Sequence, residues 1–392
     1  MNILLLTKDG RGLGLAHRLV REGHDVTVYG TQIDLSTHEG IFKKSLHLWD
    51  SLKEVKFVLT DCGGWPQLYE KLKFYNRTVI GAHPILELVN IDAFRQIEMF
   101  QKFGLPIPET KVFNDLGEMF EGAITWDANR TTIRYNNTEL RCDYRDWVPW
   151  GMTKVPLDQK VIFQKTPFGM EYQISGWFNG IRWLDSFSIS PDISEKIYKY
   201  AVAYPLPIDH KFITETIYKL EPLLKSLEYH GPVHVKIVVN KADIVCTHFH
   251  AGFKYPLTYT LLEFVRDELG EFLYNVALGS AFQPKKTKDY VSIVQSICAE
   301  NSLEGAPILG VNEERLKHMV FHSVKKDEDN AYRLARGDTI FTASAHGSTL
   351  ADSTNRVYAT VENIKYPEKH YNSSLLGIAH PFFSKLQDWK YI

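Results

Sequence analysis

The run Val233–Cys246, VHVKIVVNKADIVC, passes straight into Thr247–Pro256, THFHAGFKYP. A β-prone apolar run that ends this way predicts a β-hairpin. Side chains two apart on a strand share a face, so its last strand presents His248 and His250 together. Lys236 lies on the preceding strand. Two imidazoles on one face raise the question of a metal site, either working or lost.

Outward from the hairpin, the pattern alternates between helical and extended. Upstream, ITETIYKLEPLLKSLEYHG predicts one amphipathic helix, with Ile213, Ile217, Leu220, Leu223, Leu224 and Leu227 on a broad face. Downstream, YTLLEFVRDELGEFLYNVALG predicts another helix, and DTIFTASAHGSTLADSTNRVYATVENIKYP reads as strand, glycine turn and helix. At the other end, NILLLT, KDGRGLG, LAHRLVREG and HDVTVYG read as strand, glycine-rich loop, helix and strand. That order places backbone N–H groups at a helix N-terminus, where a phosphate can bind. Gly10, Gly12 and Gly14 do not complete a dinucleotide fingerprint. The second strand ends in Tyr29 and Gly30 rather than an acidic residue. VKFVLTD and TVIGA predict further strands, and ILELVNIDAFRQIEMFQKFG predicts a helix stopped by Gly104 before the breaker LPIPET. Four domains follow: an α/β domain over 1–108, a small, mostly antiparallel lobe over 109–175, a central α+β lobe over 176–281 and a closing module over 282–392.

Composition narrows the class. The chain has 392 residues, 44% hydrophobic and 23% charged, with a formal net charge of −2, so it offers no overall attraction for nucleic acid or an anionic membrane. No apolar run reaches the roughly 18 residues that span a bilayer. The opening MNILLLTKDG lacks a basic n-region, and Cys62, Cys142, Cys246 and Cys298 are scattered. Reduced, packed thiols and a cytoplasmic location are the expectation.

Five stretches, taken in order, resemble the glycinamide ribonucleotide synthetase (phosphoribosylamine–glycine ligase) family of the ATP-grasp superfamily. NILLLTKDGRGLGLAHRL is similar to the family's opening strand and GGREHAL loop. TVIGAHPILELVNIDAFRQIEMFQKFGLPIPET is similar to the segment ending in GIPTA, and VIFQKTPFGMEYQISGWFNG to the hinge strand and GEE turn. YHGPVHVKIVVNKADIVCTHFHAGFKYPL is similar to the hairpin ending EFNCRFGDPE, and GDTIFTASAHGSTLADSTNRVYATVENI to the GDTLAEA module. The resemblance implies an ATP-grasp architecture of α/β and α+β parts, with a Rossmann-like N-terminal domain and a small C-terminal module. It also implies a ligase that uses ATP and Mg²⁺ to join a small amino acid to a phosphorylated ribosyl or nucleotide acceptor.

The same resemblance assigns roles to residues. The family's Glu and Asn metal ligands fall on His248 and His250, and its following Arg falls on Gly252. Imidazole suits Zn²⁺ better than Mg²⁺. Three readings of these histidines stand: a dead ligase site, a transition-metal site awaiting a third ligand, or direct binding of an anion with Lys236 supplying charge. Arg134 falls near the phosphate-binding lysine, but TTIRYNNTELRCD lacks the flap glycines. Glu171 falls at the GEE turn, where it would accept from a ribose hydroxyl. Gly10, Arg11 and Gly12, with Gly63 and Gly64 of CGGWP, would cradle the substrate phosphate through open backbone amides. A ligase also needs an acidic Mg²⁺ ligand from elsewhere, and Asp243, Asp185 and Glu171 are the nearby candidates. The readings are therefore a diverged carboxylate–amine ligase or aminoacyl transferase with His248, His250 and Lys236 at its reacting centre, a phosphate- or nucleotide-binding protein that has lost ATP chemistry, or an enzyme modifying nucleotide or nucleic-acid bases without ATP.

Overall fold

The computed structural model describes all residues except 36–37, 46, 53–54, 62, 124–125, 127–129, 136–137, 157, 194–198, 266, 286, 288 and 299–302. The first part is a parallel sheet in the order β3-β2-β1-β4-β5. Its strands are β1 (Asn2–Thr7), β2 (Asp25–Gly30), β3 (Lys43–Lys44), β4 (Phe57–Thr60) and β5 (Val79–Ile80). Helices α1 (Leu13–Arg21), α2 (Leu48–Ser51) and α3 (Pro66–Phe74) connect them, and α4 (Pro84–Ile91) and α5 (Ala93–Lys102) follow. Strand β1 is central and almost wholly buried, which is why its sequence is a continuous apolar run. The chain leaves β1 toward β2 on one side and β4 on the other, so the loops after β1 and β4 diverge and open a crevice at their carboxyl ends.

An antiparallel sheet follows, in the order β6-β9-β7-β8, formed by β6 (Thr110–Phe113), β7 (Thr131–Tyr135), β8 (Thr138–Cys142) and β9 (Val161–Lys165). Most of the remaining strands make one large antiparallel sheet. Along it run β14 (Ile244–Ala251), β13 (His230–Val239), β10 (Met170–Asn179), β11 (Phe187–Pro191), β12 (Tyr200–Leu206), β15 (Tyr290–Cys298), β19 (Thr339–Gly347) and β16 (Met319–Phe321). Strands β17 (Val324–Lys326) and β18 (Tyr332–Leu334) pair separately. Because β12 pairs with β15, the strands after residue 282 continue the central sheet.

The hairpin forms as its pattern predicts. Strands β13 and β14 pair antiparallel, with Lys236 opposite His248 and His234 opposite His250, and a register shift follows Lys236. Strand β10 lies on the other side of β13, placing Gln173 beside Lys236 and Ser175 beside His234. The hairpin also docks on the parallel sheet. Gly81 N–H donates to His230 O at 2.9 Å. Gly81 has φ +110°, and a Cβ there would lie 2.4 Å from Thr60 O and 2.6 Å from the Phe253 ring. Only glycine permits this approach.

Three predicted helices are broken. Residues 85–104 form α4 and α5, split at the extended Asp92, whose Oδ1 accepts from Phe94 N at 2.9 Å and caps α5. The stretch after Ile213 is a short helix, a 3₁₀ turn and a second short helix, Glu221–Ser226. The break lies at Thr216, and Pro222, which has no N–H, opens the last segment. The apolar face survives, with Ile213, Ile217, Leu220 and Leu224 wholly buried. Residues 259–279 likewise fall into the helices Leu257–Phe264 and Leu269–Ala277, separated at the extended Val265. Cys246 and Cys298 are buried reduced thiols and Cys142 is half-buried, while Cys62 lies outside the described residues. Among the described residues no helix is long and apolar enough to cross a membrane.

Candidate functional site

The cleft between the small sheet and the hairpin holds a chain of ion pairs. Lys236 Nζ lies 2.6 Å from Glu171 Oε2 and 2.6 Å from Asp192 Oδ2. Glu171 Oε1 is held by Arg141. Arg141 also faces Glu139 at 3.5 Å, and Glu139 Oε2 is 2.8 Å from Arg134 Nε and 2.9 Å from His248 Nε2. Burial opposes the Lys236 charge, but Asp192 and Glu171 outweigh it and raise the pKa of the ammonium. Burial likewise opposes the Glu139 charge, but His248 and Arg134 hold its carboxyl well below the usual range. At Glu171, Lys236 and then Arg141 outweigh burial and lower the pKa.

This network draws in several of the residues singled out from the sequence. Glu171, expected to accept from a ribose hydroxyl, pairs through its two oxygens with Arg141 and Lys236. Arg134 is buried against Glu139 rather than reaching for a nucleotide phosphate. Of the other proposed magnesium ligands, Asp243 sits in the exposed β13–β14 turn, its N–H on Asn240 Oδ1, and Asp185 is at the far end of β10, beside Gln283. Glu139, Arg141 and Asp192 were not singled out from the sequence. Glu139 and Arg141 alternate on β8 and so share a face, a pattern that hints at a common target but does not name it.

The two histidines point to different surroundings. His248 belongs to the ion-pair chain, and burial lowers its pKa despite Glu139. His250 lies in the wall of a cavity of ≈ 320 Å³, together with Arg11, Asp61, Gly63, Glu87 and Lys254. Burial, with Lys254 adding to it, pushes His250 down to about 4. Burial thus favours the neutral form of both imidazoles, which weighs against the reading in which they bind an anion as cations. Nor do they assemble a metal site: no group of three or more His, Cys, Asp or Glu side chains is placed to hold an ion among the described residues.

Magnesium does not fit this arrangement. It requires hard oxygen donors with free lone pairs. Here the hairpin strand offers imidazoles, and Glu171 and Asp192 converge on an ammonium. Lys236 stands between two carboxylates in the manner of a divalent ion, but it carries one charge where the metal would carry two.

The glycine loops also differ from expectation. Gly10 N–H donates to Thr7 Oγ1 at 2.9 Å, Arg11 N–H to Asp9 Oδ1 at 3.3 Å, and Gly12 N–H to Asp61 Oδ2 at 2.7 Å. Gly64 N–H donates to Glu87 Oε2 at 2.6 Å. The amides of Gly10, Arg11, Gly12 and Gly64, four of the five expected to receive phosphate, thus donate to the protein's own oxygens. Asp61 is buried at the N-terminus of α1, where its Oδ2 accepts from the Gly12 N–H that opens the helix.

Side chains take over where the amides do not. A cavity of ≈ 640 Å³ opens between the β1–α1 loop and the last strands, lined by Gly10, Arg11, Lys199, Gln295, His322 and Arg336 among others. Arg11 is paired with Asp9 at 2.8 Å. Lys199 and Arg336 make no ion pair among the described residues. Burial lowers the Lys199 pKa, and the neighbouring Arg11 charge lowers it further. Asp9 and Asp338 raise it again, and with Asp34 they share the cavity wall, so the cations face both these carboxylates and any anion placed between them. His322, pushed down to about 3 by burial, is a neutral wall group hydrogen-bonded to Thr342 Oγ1 at 2.8 Å.

No family model matches the sequence, and no curated protein matches it. Solved structures do match in three dimensions. The chain is similar to phosphoribosylamine–glycine ligase from Thermotoga maritima, with a TM-score of 0.68 and 14% identity over 95% of this chain and 99% of that one. It is similar to N5-carboxyaminoimidazole ribonucleotide synthetase from Thermotoga maritima, with a TM-score of 0.62 and 14% identity over 95% and 100% of the two chains. Biotin carboxylase from Campylobacter jejuni, solved as an ATP complex, aligns with a TM-score of 0.65 and 10% identity over 96% of each chain. The fold is ATP-grasp, diverged far in sequence.

Proposed function

We propose that this protein binds a phosphorylated small molecule of the phosphoribosyl or nucleotide class, and does so without the Mg²⁺–ATP step. The observation that carries this reading is Lys236 Nζ at 2.6 Å from both Glu171 and Asp192, a side-chain cation where a metal-using site needs open carboxylates. The ≈ 640 Å³ cavity supplies the anion site, with Arg11, Lys199 and Arg336 facing the phosphate. Two of the fold relatives act, by their names, on ribose-phosphate compounds, which supports that substrate class.

Calorimetry with ribose 5-phosphate and with ATP, each with and without Mg²⁺, tests the reading. We expect ribose 5-phosphate to bind equally well with and without Mg²⁺. Replacing one of the charge-assisted contacts, in Lys199→Ala or Arg336→Ala, weakens binding about tenfold or more. Magnesium-dependent ATP binding that is lost in His248→Ala/His250→Ala sinks the proposal.

That second outcome belongs to the alternative, a diverged carboxylate–amine ligase or aminoacyl transferase. One observation favours it: Glu139, Glu171 and Asp192 gather beside the hairpin strand where the fold's relatives are expected to bind metal. It requires Lys236, Arg134 and His248 to release those carboxylates.

A further inference from the structure

Helices α2 and α3 carry exposed aromatic rings that the cavities described above do not use. Trp49 is 45% exposed, Phe74 85% and Tyr75 58%. Two surface grooves of ≈ 400 Å³ each share Trp49 and Lys71 and so run together. Phe74 and Tyr75 line the outer groove. The inner one is lined by Trp65 and Tyr29, whose ring centroids are 6.4 Å apart, and reaches Gly64. Gly64 adjoins Gly63, in the wall of the ≈ 320 Å³ cavity.

Ammonium groups alternate with the rings. Lys71 Nζ lies 5.0 Å from the Trp49 ring centroid, and Lys8 Nζ lies 5.9 Å from that of Trp65. Neither ammonium forms an ion pair with a carboxylate among the described residues. The Trp65 indole N–H is buried without an acceptor. A surface of this kind is costly to leave bare, and contiguous exposed apolar patches mark interaction sites.

We infer that this groove binds single-stranded nucleic acid, with bases stacked on Trp49, Phe74, Tyr75 and Trp65 and phosphates beside Lys71 and Lys8. The pattern favours such a strand over an apolar protein partner. Flat π-faced bases match a row of rings, and a phosphate backbone answers the Lys71 ammonium, with Lys8, which already lies in the field of Glu87, adding less. Two ammoniums, with Glu70 also in the outer wall, give a weak electrostatic contribution. Stacking therefore supplies most of the affinity. Two phosphate contacts predict that binding falls only about sevenfold between about 50 and about 200 mM salt. The inference does not rest on the phosphorylated-ligand reading, because it uses different residues.

The test is fluorescence anisotropy of a labelled oligothymidylate titrated with the full chain. We expect saturable binding with the shallow salt dependence above. Trp49→Ala and Phe74→Ala should each weaken it about tenfold, with unchanged thermal melting because both side chains are exposed. Thymidine 5′-monophosphate should bind at least about tenfold more weakly than the oligomer, since it occupies one ring only. Equal binding of the monophosphate overturns the strand assignment in favour of a free nucleotide. Absence of oligonucleotide binding overturns it too, including the case where Trp49→Ala/Phe74→Ala abolishes a concentration-dependent dimer in sedimentation and so identifies a second copy as the occupant.

Discussion

Lys236 decides the chemistry of the cleft more than the histidines do. Its ammonium neutralises two carboxylates that would otherwise repel each other at a half-buried site. Lys236→Ala leaves Glu171 with Arg141, and Asp192 with only the weaker field of Lys254. We expect a stability loss of about 2 kcal/mol, between the values for surface and buried pairs. We also expect a new affinity for divalent ions. Titrating Mn²⁺ and following the free ion by electron paramagnetic resonance checks this: the wild type should leave Mn²⁺ free and the variant should bind it. Tight Mn²⁺ binding by the wild type contradicts the account. Strand alternation made His248, His250 and Lys236 recognisable as a group on one face. Glu139 and Asp192 lie 97 and 44 residues from Lys236 in the chain (236 − 139 and 236 − 192), and no local pattern brings them together.

Helix ends show the same division. The apolar spacing of residues 85–104 is helical throughout, yet Asp92 adopts an extended conformation and caps α5. Asp92→Ala removes acceptors for Phe94 N and Arg95 N and should cost about 1 kcal/mol in urea denaturation. A helix running unbroken through residue 92 would instead gain from alanine. Gly81 governs how the hairpin seats on the parallel sheet. Gly81→Ala forces a β-carbon into a positive-φ position worth about 1–3 kcal/mol of strain and into contact with Thr60 O and Phe253. We expect a loss of at least about 2 kcal/mol by denaturant titration.

Across the molecule, buried histidines set the response to acid. Burial pushes His17 and His322 down to about 3, and His38 and His83 down to about 4. In the unfolded chain each titrates near the ordinary histidine value of 6.5. Between the two values the unfolded state binds more protons, so stability rises with pH across that window. The contribution is complete above about 6.5 and is lost as pH falls toward 3, at about 1.4 kcal/mol per pKa unit for each group. Glu139, whose pKa is depressed, loses its contribution in the same direction. Melting temperature should therefore fall steadily from about pH 7 to about pH 4, and His322→Gln should flatten the slope. A melting temperature independent of pH over that range refutes this account.

Periodicity and glycine placement carried the β1–α1–β2 opening, the hairpin, the buried face of residues 213–227 and the strand–turn–helix of residues 338–367. These depend on neighbours within a few residues, where alternation and helical spacing act directly. Order along the chain was enough for the ATP-grasp resemblance. The occupied state of the site was different. That Asp61 and Glu87 satisfy the glycine amides, that Lys236 takes the place between Glu171 and Asp192, and that Lys199 and Arg336 meet Arg11 across a cavity all follow from contacts between separate sheets. A side chain's charge is visible in the sequence, but whether another charge already answers it depends on the packing of segments distant in the chain.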